Sequence, residues 1–152
     1  INGKEYYIHR KGACCAGGCE EMEGTEFAYY GEPVMIPGSM GSSSYLLRGL
    51  GNRDALCSAS HGAGRQKSRG DAIKGNDEAF RQFMKNFHVI TPIDPNRIDL
   101  KGRADILKKW EESVRAEAPY AYKDIHEVIA VHTAHNLAAP VARMEPVFTV
   151  KS

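Results

Sequence analysis

The sequence predicts an α+β fold of mixed short strands, glycine-rich loops and about three helices, and three observations carry that prediction. The first 60 residues hold short β-prone runs punctuated by glycine. The middle holds apolar residues at helical spacing, and the end returns to β-branched runs. The chain is 152 residues long, with 42% hydrophobic and 26% charged residues. That composition suits one folded domain or lobe with its own core and excludes disorder and collagen-like structure.

In chain order, strands are expected at 5–9, 33–36, 45–48 and 55–58, where short apolar or aromatic runs lie between glycines. After Asn76 as N-cap, Phe80, Phe83, Met84 and Phe87 recur at i, i+3, i+4 and i+7, predicting a helix whose aromatics face the core. A proline-marked connection at 91–95 leads to a second helix from about 102 to 117, with Leu107, Trp110 and Val114 as its apolar stripe and Pro119 as its stop. A third helix, from about 124 to 136, places Ile125, Val128, Ile129 and His132 on one face. Two short strands at 141–144 and 147–150 close the chain. No repeat or domain linker interrupts it.

Lys and Arg number 20 against 19 Asp and Glu, a net charge of +1 with the signs mixed along the chain, so any nucleic-acid contact must come from a local site. No apolar run approaches the roughly 20 residues that cross a bilayer, and no signal-peptide order marks the start, so a cytoplasmic location is expected. The chain begins with Ile1 and not Met, which suggests a processed piece of something longer. Fifteen glycines, many concentrated in short stretches, point to loops that need positive φ or close backbone approach.

Cys14, Cys15, Cys19 and Cys57 are too sparse for a disulfide scaffold, and free thiols in a glycine-rich turn are expected. A zinc site from His9, Cys14, Cys15 and Cys19 is the alternative, although its spacing matches no familiar module. His132 and His135, three apart, are spaced to share a metal. A histidine at the edge of a core stripe more often serves as a hydrogen-bonded structural group.

Three segments concentrate chemistry. In His9-Arg10-Lys11-Gly12 a histidine flanked by cations is suited to ligate a metal while Arg10 and Lys11 attract phosphate; an exposed strand end explains it equally simply. In 37–44 (Pro-Gly-Ser-Met-Gly-Ser-Ser-Ser), glycine amides and four hydroxyls suit a phosphate or sugar edge, and the same composition suits a polar hairpin loop. In Ser60-His61-Gly62-Ala63-Gly64-Arg65, small neighbours let a group reach the His61 imidazole, and Arg65 and Arg69 stand ready to neutralise charge on phosphorus. A neutral histidine is a competent nucleophile toward phosphorus. The competing reading is a glycine-rich turn with an incidental histidine. No Walker, Rossmann or Gly-x-Ser-x-Gly pattern is present, so the combination favours nucleotidyl or phosphoryl transfer over acyl or hydride transfer.

At these residues the sequence resembles the RtcB family of RNA-splicing ligases, in the C-terminal part of such proteins. The resemblance lies in 9–13, 37–41 with Ser44 and Tyr45, 60–65 with Ser68 and Arg69, Ala118-Pro119 with Ala121-Tyr122-Lys123, and Lys151. It implies a manganese- and GTP-dependent enzyme that joins RNA ending in a 3′-phosphate or 2′,3′-cyclic phosphate to 5′-hydroxyl RNA, in tRNA splicing or RNA repair. The histidine matching His61 would be guanylylated by GTP and pass GMP to the RNA 3′-phosphate. His9 would be a manganese ligand, with Arg10 beside the nucleotide. Pro37, Gly38, Ser39, Met40, Ser44, Gly62, Ala63 and Gly64 would contact guanylate, and Tyr122 and Lys151 would line the guanine pocket.

The chain departs from the family with Cys14-Cys15 for a usual Thr-Arg and Ser152 for a final Gly. The family's other metal ligands lie in an N-terminal portion that this sequence does not contain, and His9 alone cannot hold a catalytic manganese. The expectation is an incomplete enzyme whose partners are RNA, GTP and that missing half. The rival expectations are a non-catalytic guanine-nucleotide or RNA-binding fragment and a zinc-stabilised structural domain.

Overall fold

In a computed structural model, which describes residues 5–151, the chain is α+β. The strands are β1 (Ala13–Cys15), β2 (Pro33–Ile36), β3 (Ser44–Gly49), β4 (Ser58–Ser60), β5 (His88–Ile90), β6 (Ala138–Met144) and β7 (Phe148–Val150). The helices are α1 (Arg69–Ile73), α2 (Asp77–Asn86), α3 (Ala104–Ala116) and α4 (Ile125–Ala134). No helix among the described residues is long and apolar enough to cross a membrane.

The central sheet is antiparallel in the order β2-β3-β6, with Val34 opposite Leu47 and Ile36 opposite Tyr45. These four side chains are buried because the alternation in both strands has period two, so one register puts all of them on the same face. α4 covers that face with Ile125 and Ile129, and Ala16, Ala59, Ala63 and Ala138 complete the core. β1 and β4 form a separate antiparallel pair, with Ala13 opposite Ser60. β5 and β7 pair in parallel, with His88 opposite Phe148. A second core gathers Phe80 and Phe83 of α2 with Val114 of α3 and Ala118, and Met40 from the 37–44 loop packs against it.

The helix spacings predicted from sequence correspond to α2, α3 and α4, and β2 spans the predicted residues. Strands β1 and β5 are not among those expected, β6 begins at Ala138 ahead of the expected 141–144, and further details differ. Residues 5–9 form no strand: their side chains are exposed and no partner strand lies alongside them among the described residues. At 55–58 the chain first makes a 3-10 turn, Arg53–Ala55, capped by the Asn52 side chain, and Leu56 and Cys57 take left-handed φ of 52° and 47° before β4 begins. Asn76 precedes α2 with φ of 60° and gives it no side-chain cap, because its Oδ1 accepts from Lys67 Nζ at 2.6 Å. The short fourth helix, α1, is capped by Ser68, whose Oγ accepts from Asp71 N at 3.1 Å.

All four cysteines are free thiols. Burial and the neighbouring Cys15 push the Cys14 thiol up, and burial with Glu21 does the same to Cys57, which makes both poor thiolates. No group of three or more His, Cys, Asp or Glu side chains is placed to hold a metal among the described residues, so the expected zinc alternative finds no geometry there.

Candidate active site

His61 follows directly on β4, and its loop is tied down on every side while its ring stays exposed. Its own backbone N–H donates to Gly12 O at 3.2 Å, joining it to the first of the three chemical segments. Ala63 N donates to Pro37 O at 3.2 Å, joining it to the second. Ala63 is only 6% exposed and belongs to the main core, so it anchors the loop between two glycines. On the far side, Gln66 N and Lys67 N donate to Ala121 O at 2.9 and 3.2 Å, and Lys123 N donates to Gly64 O at 3.0 Å. Arg65 and Tyr122 form a lone antiparallel bridge there.

Beneath the loop sits His132, 1% exposed. Its Nδ1 meets Val128 O at 2.7 Å and its Nε2 accepts from Ser60 N at 2.9 Å, which assigns a neutral ring protonated on Nδ1. Both ring nitrogens are engaged, so His132 is a structural histidine. The residue before the candidate nucleophile hangs directly from it.

The convergence leaves a cavity of about 290 Å³ lined by Gly12, Pro37, Gly38, His61, Gly62, Ala63, Gly64, Arg65 and Tyr122. Gly64 has φ of +74°, a conformation that favours glycine. At Gly38 a Cβ would stand 2.2 Å from Ser43 O. Gly38→Ala must therefore shift the loop, and calorimetry should show a loss of about 2 kcal/mol. The serines shape the same loop: Gly38 N donates to Ser44 Oγ at 3.2 Å, Ser39 and Ser42 share a hydrogen bond at 2.9 Å, and Ser43 Oγ donates to Glu145 at 2.9 Å.

A neighbouring cavity of about 270 Å³ is lined by Met40, Glu117, Thr149, Val150 and Lys151. Nine of the sequence-predicted site residues therefore fall on these two cavities: His61, Pro37, Gly38, Gly62, Ala63, Gly64 and Tyr122 on the first, Met40 and Lys151 on the second. Ser39 lies in the loop after β2 and Ser44 opens β3, and neither lines these two cavities. His9 is exposed and lines neither, and it joins no cluster of metal-ligating side chains among the described residues. Arg10 is turned toward β4, donating to Ser58 Oγ at 2.8 Å and Leu56 O at 2.9 Å.

Arg65 departs from the reading that assigned it to an incoming phosphate. Its guanidinium donates to Glu117 Oε2 and Tyr122 Oη, each at 3.0 Å, and to Ala116 O at 2.6 Å, and lies 4.9 Å from the Tyr122 ring centroid. Glu117, with 26% of its side chain exposed, also pairs with Arg69 at 3.1 Å and accepts a hydrogen bond from Tyr122 Oη. Burial pushes the Glu117 carboxyl up, but the hydrogen bonds from Tyr122 and Arg69 and the charges of Arg65 and Arg69 outweigh it and hold the carboxyl below the usual carboxylate range. A lowered folded-state pKa stabilises above the unfolded value, about 4.3 for glutamate, and that stabilisation is lost as pH falls through the folded value. Between pH 5 and 3 the thermal midpoint should therefore fall more steeply than in Glu117→Gln.

A sequence model of the family described as tRNA-splicing ligase RtcB matches residues 1–152 of the chain. The chain belongs to the RtcB family. It is 36% identical over 146 residues to the RNA-splicing ligase RtcB of Mycobacterium tuberculosis, covering 95% of this chain and 30% of that protein. It is 38% identical over 157 residues to the tRNA-splicing ligase RtcB of Nanoarchaeum equitans, covering 99% and 30%. Against the RNA-splicing ligase RtcB of Escherichia coli K12 it is 36% identical over 131 residues, covering 86% and 25%. The chain thus spans about 30% of the length of the RtcB relatives it matches.

Proposed function

We propose that this chain is the nucleophile-bearing, C-terminal part of a cytoplasmic RNA ligase that uses GTP to join RNA 3′-phosphate or 2′,3′-cyclic-phosphate ends to 5′-hydroxyl ends. The observation that carries the reading is the exposed His61 imidazole on a loop clamped to Gly12, Pro37 and residues 121–123, with an open cavity in front of it. A histidine serves as a covalent nucleophile when its ring is accessible and its backbone does not move. Here His61 is exposed and its backbone N–H is hydrogen-bonded to Gly12 O, which supports that role.

In this reading the neutral His61 ring attacks the α-phosphorus of GTP. The N–P bond forms as the P–O bond to pyrophosphate breaks, and the ring proton passes to solvent. A 2′,3′-cyclic phosphate end is first opened by water to the 3′-phosphate. An oxygen of the RNA 3′-phosphate then attacks the phosphorus of the His61 adduct as the N–P bond breaks and His61 regains its free ring, and the 5′-hydroxyl, losing its proton to solvent, displaces GMP to complete the phosphodiester. Gly62 and Gly64 keep side chains out of the approach, and Tyr122 offers a ring face to a flat base. Met40 and Lys151 border the adjacent space, and Arg65 and Glu117 hold the wall between. Manganese is the cofactor the resemblance implies. The described residues do not assemble a donor set for it, because no three or more His, Cys, Asp or Glu side chains come together among them, so no step is routed through the metal.

The test is ligation by the complete ligase, with the portion of the relatives' length that lies outside this chain, supplied with GTP and manganese. RNA ending in 3′-phosphate should be joined to 5′-hydroxyl RNA, and RNA ending in 3′-hydroxyl should not. Equal joining of both, or of neither, contradicts the proposal. The lone 152-residue chain is the second reading, a guanine-nucleotide or RNA-binding fragment, favoured by the same lack of a metal-ligating cluster among the described residues. It should bind GTP without turning over, and turnover by it alone would exclude that reading.

A further inference from the structure

Glu117 sits where elementary electrostatics disfavours it. It caps the C-terminal end of α3, and a carboxylate there faces the negative end of the helix dipole. Three groups compensate: Arg65, Arg69 and the Tyr122 hydroxyl all converge on its two oxygens. Two of these, Arg65 and Tyr122, line the His61 cavity, while Glu117 itself lines the neighbouring cavity with Met40 and Lys151. The carboxylate thus bonds the lining of one space to two residues that line the other.

The partners of Glu117 lie on two backbone segments that must stay in register. Arg65 belongs to the limb that leaves His61, and Tyr122 to the 121–123 segment that receives its hydrogen bonds. Arg65 also reaches the last turn of α3 through Ala116 O. One side chain therefore connects the nucleophile loop, the aromatic ring beside it and the end of a helix seated in the second core.

We infer that Glu117 is a positioning residue, which holds Arg65 and the Tyr122 ring in one arrangement and so aligns the His61 loop with the space beside Met40 and Lys151. The inference rests on the proposed reading of His61. Charge-assisted hydrogen bonds are the strong class, and losing their common acceptor releases several partners at once.

The experiment uses the complete ligase with Glu117→Ala and Glu117→Gln. Three readouts are taken: the maximal rate of covalent labelling by GTP, the KM for GTP, and backbone hydrogen exchange at Gln66, Lys67 and Lys123. Glu117→Ala is expected to lower the labelling rate by about 10–100-fold per folded molecule, to raise KM, and to speed exchange about tenfold. Glu117→Gln keeps an acceptor of the same shape and should recover most of the exchange protection and part of the rate. Unchanged exchange in Glu117→Ala would overturn the inference, as would an unchanged labelling rate accompanied only by lower thermal stability. If the parent enzyme takes no label from GTP, the reading of His61 fails. The exchange comparison then still decides whether Glu117 holds the loop.

Discussion

Replacing His61 with alanine in the complete ligase is expected to reduce RNA joining by at least about 10³-fold, the scale seen when a covalent nucleophile is removed. The effect should fall on chemistry and not on folding. The His61 ring is exposed, and the bond that ties the residue to the scaffold is its backbone N–H to Gly12 O, which alanine retains. Thermal midpoints of the two proteins should therefore agree to within the shift produced by about 0.5 kcal/mol. The check is a gel assay of labelled RNA beside a melting curve. Substantial joining by His61→Ala would remove the histidine from the reaction.

His132→Ala is expected to produce the converse pattern, a large loss of stability, although no chemistry passes through that side chain. The ring is almost fully buried, so its removal leaves a cavity, and Ser60 N–H loses its acceptor inside β4. The cavity and the orphaned donor together should cost about 3–5 kcal/mol, seen as a lower urea midpoint at unchanged slope. Because Ser60 adjoins His61, the remaining folded molecules should also label more slowly. A midpoint shifted by less than about 1 kcal/mol would show that the buried ring contributes little.

How much of this was legible in the chain depends on how local each determinant is. The stripes in α2, α3 and α4 and the short apolar run of β2 are local patterns, and the elements appear where those patterns place them. The 5–9 run has strand composition but no strand beside it among the described residues, and pairing is a property of two segments. α1 is five residues long, too short for periodicity to show, and its only cue is the Ser68 cap. The parallel pairing of β5 with β7 joins residues some 60 positions apart and leaves no local trace.

The site divides in the same way. His61, Pro37, Gly38 and Tyr122 were marked by residue type and by resemblance, and the fold brings them to one cavity. Arg65 was marked as a phosphate group because composition cannot say which anion a guanidinium meets, and here the nearest is Glu117. Glu117 itself was missed. Its one signal was a carboxylate at the end of a helix, just before Pro119, where a cation is the ordinary choice.

The central claim is that His61 carries the covalent step, and the measurement closest to it is the site of attachment. Complete ligase incubated with GTP and manganese, digested under conditions that spare acid-labile bonds and sequenced by mass spectrometry, should show GMP on the peptide containing 60–65, joined through the His61 ring. GMP on a lysine such as Lys11 or Lys151, or protein that ligates RNA while never carrying GMP, would contradict the account.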